Sequence, residues 1–330
     1  MKRYLLMIGI FLSVVLIIFL FVYQADISNI TGKNKNPDIY LIMKSTSEKF
    51  EFWQMVKGGA SEAGKEFNAN LVIDGTLSEE DIEGQIKIVD KAISKNPDVI
   101  VLAALDFDKL VEPAKRIKES GIKLLTIDSG LSEKVEECFI GTDSYSGGVF
   151  LADKMNEILK GHGNIVIISH SFGSETAKTR TSGFIFGMDK YSGLTQYEEI
   201  FNSKDDINVS YEYMKEMLID HGDEIDGIFA TNQICSEGAG MALEESGYKG
   251  DIVMLAFDSS IKQNELLANG VINGLVVQQP FNMGYTGVKR AVEVAKGKKL
   301  PDVEYIEFQY INKENMYEEE NLKLIFPFLD

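Results

Sequence analysis

Planar polar side chains recur just after short apolar runs of this chain. Asp74 comes after the run 71–73, Asp128 after 124–127, Asn232 after 228–230, Asp258 after 254–257 and Gln278 after 275–277. A carboxylate or amide spans two neighbouring hydroxyls with paired hydrogen bonds, so this set suits a small polyhydroxylated molecule. Arg180, expected in a loop after a strand of the second half, would add a fork of five donors. Phe50, Phe52 and Trp53 precede Gly58 and Gly59 and offer the apolar platform that the C–H face of a sugar ring needs; Trp53 is the one tryptophan of the chain. Taken singly, each residue has a plainer use, because Asp or Asn after a strand caps a helix or turns the chain, and an aromatic ring faces the core. Recurrence at one edge in both halves favours a binding cleft instead. Asp74 is the exception: Gly75 beside it signals a tight turn and a structural role.

The residues that catalysis would need are missing. No G-x-S-x-G elbow, H-E-x-x-H pair or phosphate-cradling glycine loop occurs, and His162, His170 and His221 have no ligand spacing. A secreted glycoside hydrolase would need two positioned carboxylates, which an acidic chain offers only by chance. His170, in Ser169-His170-Ser171 at a strand end, reads as an ordinary loop residue. Cys138 and Cys235 are too few and too far apart for a disulfide framework or a zinc site, and read as small buried residues. The expectation is a binding protein, not an enzyme, with no catalytic residues, metal or cofactor.

The elements that position the polar set alternate in type. From residue 37 onward, apolar β-rich runs at 39–43, 71–73, 99–103 and 124–127 are separated by segments of helical period. Ile82, Ile86, Val89 and Ile93 line one such helix, with Ser78 as its cap and Asn96-Pro97 as its end. Leu110, Val111, Ala114 and Ile117 line the next, which Gly121 stops. The same grammar restarts after Asp143, with a helix through Val149, Ala152, Met155 and Leu159 and runs at 164–169, 225–230, 252–256 and 274–277. This predicts one α/β architecture used twice, as two lobes with a cleft between them. In such sheets ligands bind beyond the carboxyl ends of the strands, where the polar set falls.

The chain has 330 residues, with 33 Lys and Arg against 51 Asp and Glu and a formal charge of -18. That balance repels phosphate backbones and argues against nucleic acid as a partner. Lys2 and Arg3 precede an uncharged stretch at 4–23, which as a helix would span roughly 30 Å, the thickness of a bilayer core. The two basic residues stay cytoplasmic under the positive-inside bias, so the rest lies outside. Large residues stand where a signal peptidase needs small ones, and no cysteine follows to take a lipid. Residues 1–24 are therefore expected to form an uncleaved, single-pass transmembrane anchor in the cell membrane, with residues 25–37 as a linker.

The motifs GIKLLTIDS at 121–129, IGTDSYSGG at 140–148, SETAKTRTSGF at 174–184 and VVQQPFNMG at 276–284 stand in an order and spacing that resembles the periplasmic-binding-protein type I superfamily. The likeness is to its sugar-binding branch, related to ribose-binding proteins and the effector domains of LacI-type repressors, and covers nearly everything from Asp38 onward. It implies two Rossmann-like, doubly wound parallel-sheet lobes joined by three crossovers: residues 38–142 with about 279–308, and 143–278 with about 309–330. It further implies that Phe52, beside Trp53, packs on a sugar ring while Asp128, Arg180, Asn232, Asp258 and Gln278 bond its hydroxyls. Asp143, at the first crossing, is a further polar contact. The sequence departs from the pattern at Lys49, Glu51 and Ser129 and around Asp205, where relatives often carry other residue types, which leaves the sugar open. The implied ligand is a monosaccharide, and the implied partner an ABC permease or, alternatively, a sensor histidine kinase or chemoreceptor. A repressor would need a basic helix-turn-helix where the apolar segment stands.

Overall fold

The computed structural model describes residues 36–326. The expected membrane anchor and most of the linker lie outside the described residues, among which no helix is long and apolar enough to cross a membrane. The first half runs β1 (Asp38–Ser45), α1 (Glu51–Glu66), β2 (Asn70–Thr76), α2 (Ile82–Lys95), β3 (Val99–Leu102), α3 (Val111–Glu119), β4 (Lys123–Ile127) and β5 (Cys138–Gly141). The chain then crosses to α4 (Ser144–Leu159), β6 (Gly163–Ser169), α5 (Glu175–Met188), β7 (Leu194–Gln196), β8 (Phe201–Asn202), α6 (Ile207–His221), β9 (Gly227–Ala230), α7 (Gln233–Glu245), β10 (Val253–Phe257), α8 (Ile261–Ala268) and β11 (Gly274–Val277). It returns for α9 (Pro280–Ala295) and β12 (Val303–Tyr305), then ends on β13 (Gln309–Ile311) and α10 (Glu319–Ile325) in the second lobe.

The two sheets share one order. The first reads β12-β5-β4-β3-β1-β2 and is parallel throughout; the second reads β13-β11-β10-β9-β6-β7, with β8 also on β6 and β13 antiparallel to β11. In both, the first strand sits between the second and third, which places a topological switch point beside β1 in one lobe and β6 in the other. The alternation along β1 sends Ile39, Leu41 and Met43 to one face of the sheet and Tyr40 and Ile42 to the other, each into its own apolar cluster. Burial on both faces is why the parallel strands read as unbroken apolar runs.

Helix pairs carrying site residues pack through glycines. A Cβ on Gly59 of α1 would strike the Phe281 carbonyl of α9, and one on Gly284 would strike that of Val56. In the second lobe, Gly148 of α4 and Gly183 of α5 face the carbonyls of Arg180 and Tyr145 in the same way. Backbone-to-backbone contact of this kind fixes α1 and α5 against their neighbours, and with them the aromatic and guanidinium groups they present.

Three local expectations are corrected. The cap of α2 is Asp81, whose carboxylate accepts the Gly84 N–H, and Ser78 lies before it. Asp74 and Gly75 are inside β2 and form no turn; the glycine is needed because a side chain there would press on the Met43 carbonyl at a register shift. Arg180 lies in α5 and not in a loop: the buried face of this helix carries Thr176, Arg180 and Thr181 among its apolar residues while Phe186 is exposed, so it lacks the apolar stripe that marks a surface helix.

Candidate functional site

In the first lobe β1 reaches the cleft at Lys44, a residue 2% exposed. Its Nζ lies 2.7 Å from Asp128 Oδ2, and the Ser129 hydroxyl donates to that same oxygen at 3.0 Å. Burial works against the ammonium, but the carboxylates of Asp128 and Glu79 together outweigh it, and the Lys44 pKa lies above the ordinary lysine value. Asp128 follows β4 at φ 62°, a left-handed conformation that costs a residue with a Cβ about 1–2 kcal/mol. Across from it, α1 begins at Phe50 and carries Phe52 and Trp53 in its first turn. Those two rings meet edge-on with centroids 5.0 Å apart, and the indole N–H donates to Glu79 Oε1 at 2.5 Å. Burial, then repulsion from Asp205, pushes the Glu79 carboxyl well above its usual range.

In the second lobe the Arg180 guanidinium, 2% exposed, lies over the Phe257 ring at 4.4 Å from its centroid. Its Nη1 donates to the Thr231 carbonyl at 2.8 Å and stands 3.5 Å from Asp258 Oδ2, while Nε reaches the Ser144 hydroxyl at 3.5 Å. Asp258 follows β10 at φ 75° and accepts the Gln278 amide at 2.6 Å and the Gln233 backbone N–H at 3.1 Å. Asn232 caps α7 through the Cys235 N–H and donates to Asp205 Oδ1 at 3.0 Å. The buried His170 ring sits between the hydroxyls of Thr231, at 2.9 Å, and Ser174, at 3.3 Å. Burial, helped by the charges of Arg180 and Lys44, lowers its pKa well below the usual histidine value, so the ring is neutral.

Seven residues of the sequence-predicted set, Phe52, Trp53, Asp128, Arg180, Asn232, Asp258 and Gln278, line a single cavity with an empty volume of about 400 Å³, its open mouth included. Asp143 stands apart from that lining: its carboxylate caps α4, accepting the Ser146 N–H at 2.9 Å and hydroxyl at 2.7 Å. Asp74 is also elsewhere, holding the Tyr40 hydroxyl and the Lys91 ammonium at 2.8 Å each. Lys44, Glu79 and His170 also line the cavity, and sequence reasoning missed them. A lysine at the end of an apolar run reads as the wet end of a strand, and nothing near Glu79 distinguishes it from the other acids of the chain. His170 alone left a signal, at a strand end. Cys138 and Cys235 are free and buried, and among the described residues no three His, Cys, Asp or Glu converge to hold a metal.

The cleft is closed. The Phe107 N–H of the first lobe donates to the Gly173 carbonyl of the second at 2.9 Å, and Ile261 N–H reaches Glu51 Oε1 at 3.4 Å. Ile234 of α7 is buried in the same apolar cluster as Phe50 and Trp53.

Two sheets of identical strand order, joined at three crossings and closed on a cavity walled by paired charges, amides and aromatic rings, define a two-lobed ligand-binding protein. The chain belongs to the periplasmic binding protein family, whose domain matches residues 39–299. It is 23% identical over 293 residues to the D-allose-binding periplasmic protein of Escherichia coli K12, covering 82% of this chain and 89% of that one. Among solved structures it resembles a carbohydrate transporter solute-binding protein from Agrobacterium radiobacter in complex with D-arabinose, at a TM-score of 0.84 and 30% identity, covering 88% and 99% of the two chains. An ABC transporter solute-binding protein from Agrobacterium vitis with bound D-fucose gives 0.83 and 26%, covering 88% and 100%.

Proposed function

We propose that this protein is an extracytoplasmic solute-binding protein, tethered to the cell membrane by residues 1–24, that captures a pentose or hexose between its lobes and presents it to an ABC sugar importer. The observation that carries this is the convergence of hydrogen-bonding groups from both lobes on one small closed cavity with aromatic rings in its wall. Both Lys44 and Ser129 bond Asp128 Oδ2, which leaves Oδ1 for a ligand, and Arg180 Nη2 has no protein partner among the described residues. Phe52 supplies the face on which a ring stacks, while Asn232, Asp258 and Gln278 hold hydroxyls from the second lobe. Asp143 serves the hinge, by fixing the start of α4. A ligand that touches both lobes favours the closed state by as much as it binds that state better than the open one. The matches to arabinose- and fucose-bound proteins support a ligand of this size. Trp53, the only tryptophan, lies in the cavity wall, so its fluorescence reports occupancy directly. A panel of pentoses and hexoses is expected to yield one that shifts this emission saturably, and deletion of the gene is expected to abolish uptake of that sugar. Unchanged uptake with lost induction of the sugar's genes would replace the transport role by a sensory one.

A further inference from the structure

One carboxyl of the cleft wall is only half used. Glu79 stands in the loop between β2 and α2 and lines the cavity. The buried Thr76 hydroxyl, 2.5 Å from the Lys44 carbonyl and 2.7 Å from that of Ser78, ties this loop to the end of β1. Glu79 Oε1 accepts the Trp53 indole N–H at 2.5 Å, while Oε2 has no protein partner among the described residues. The groups that face the carboxyl are Trp53 from α1, Lys44 from β1, Asp128 after β4 and Asp205 of the second lobe. Lys44 is already committed to Asp128, at 2.7 Å. Burial, then the charges of Asp205 and Asp128, raise the Glu79 pKa to about 8 against the pull of Lys44 and the indole. At neutral pH the group is therefore a carboxylic acid whose two oxygens differ: the carbonyl oxygen can only accept, which is what the indole asks of Oε1, and the hydroxyl is left to Oε2. Asp128 and Asp258, each beside a cation, can only accept from a ligand. Glu79 offers the opposite polarity.

Resting on the monosaccharide reading above, we propose that Glu79 is a ligand-contacting residue that works in its protonated form, donating from Oε2 to an oxygen of the sugar while Oε1 holds the Trp53 indole. Capture then needs a proton on this group, because ionisation replaces the donor by another acceptor and sets a negative charge against the sugar oxygen. The test is isothermal titration calorimetry of the full chain with D-ribose, D-arabinose, D-xylose, D-allose, D-fucose, D-glucose and D-galactose between pH 6.5 and pH 9.5. A sugar that binds is expected to keep a constant Kd up to about pH 7 and to bind about tenfold more weakly at pH 9, the loss produced when one proton is linked to one ligand and the free group titrates near pH 8. Glu79→Gln, whose amide presents a carbonyl to the indole and an N–H at the place of Oε2, is expected to bind that sugar as tightly at pH 9 as at pH 7. Glu79→Ala removes the contact and is expected to weaken binding at pH 7 by about threefold to tenfold. A parent profile that is flat or that strengthens with pH, a loss at pH 9 that survives in Glu79→Gln, or a Glu79→Ala variant that binds like the parent overturns the assignment and leaves the monosaccharide reading standing. Failure of every sugar of the panel, with thermal unfolding showing the parent chain to be folded, overturns the monosaccharide reading itself.

Discussion

The two lobes present the same device at the cleft in two different states of commitment. Each follows the strand in the same place of its sheet with an aspartate in left-handed conformation, Asp128 after β4 and Asp258 after β10, and each gives that aspartate a buried cation. In the first lobe the pair is a tight ion pair, closed on itself and deprived of water on both sides. In the second, the guanidinium is divided among a carbonyl, a hydroxyl and the carboxylate, and it rests on an aromatic face. The first arrangement is therefore a structural lock with one oxygen to spare. The second is a recognition fork, held in place but not saturated.

That contrast is breakable. The largest effect is expected from Lys44→Met, which leaves the Asp128 carboxylate buried without its partner and should cost about 3–5 kcal/mol of folding stability, read as thermal or denaturant unfolding. Unfolding at the same midpoint as the parent would show that the lock is no lock. Arg180→Ala should instead keep most of the stability and cost about 2–4 kcal/mol of ligand binding, since the groups it serves are desolvated in the closed state. Equal stability losses in both variants would erase the distinction between the lobes. The smallest effect belongs to the mouth: the exposed Lys178–Asp108 pair joins the lobes at 3.5 Å, and Lys178→Ala should leave affinity within a factor of about two.

A further difference appears with pH. Burial raises both Glu79, to about 8, and Asp205, to about 6. Carboxylates raised in this way hold protons more tightly in the folded protein than in the unfolded chain. Their contribution to stability is present at low pH and is lost as pH rises through these values. The groups that face them are Lys44, Trp53 and Asp128 around Glu79, and Asn232, Lys49, Glu80 and Lys44 around Asp205. The ligand-free protein should therefore lose melting temperature between pH 5 and pH 8, and Glu79→Gln should flatten that loss. A slope identical in parent and variant would mean that Glu79 does not titrate in this window.

Much of this was legible in the sequence because parallel strands covered on both sides must be apolar runs, and the residues after them stand at the cleft. The short elements were not legible: β7 and β8 are three and two residues long, and β12 and β13 are three each, too few to show a period. Arg180 reads as lying in a loop because the buried face of its helix mixes Thr176, Arg180 and Thr181 with apolar residues and so shows no stripe. Lys44 escaped notice because its meaning depends on a partner, Asp128, brought to it by the pairing of β1, β3 and β4. Asp143, a further polar contact by resemblance, stands outside the lining of the cavity. Its place at the crossing between lobes is as well explained by capping α4 as by touching a ligand.

The central claim is that a ligand holds two hinged lobes shut. Cys138 and Cys235 are buried, so cysteines introduced at the exposed positions Lys109 in the first lobe and Ser182 in the second accept spin labels selectively. Pulsed dipolar spectroscopy on the full chain should then give a broad or long label-to-label distance without sugar and a single shorter one with it, and Arg180→Ala should restore the long distance at the same sugar concentration. A distance distribution that stays the same while Trp53 fluorescence reports saturation would contradict the account.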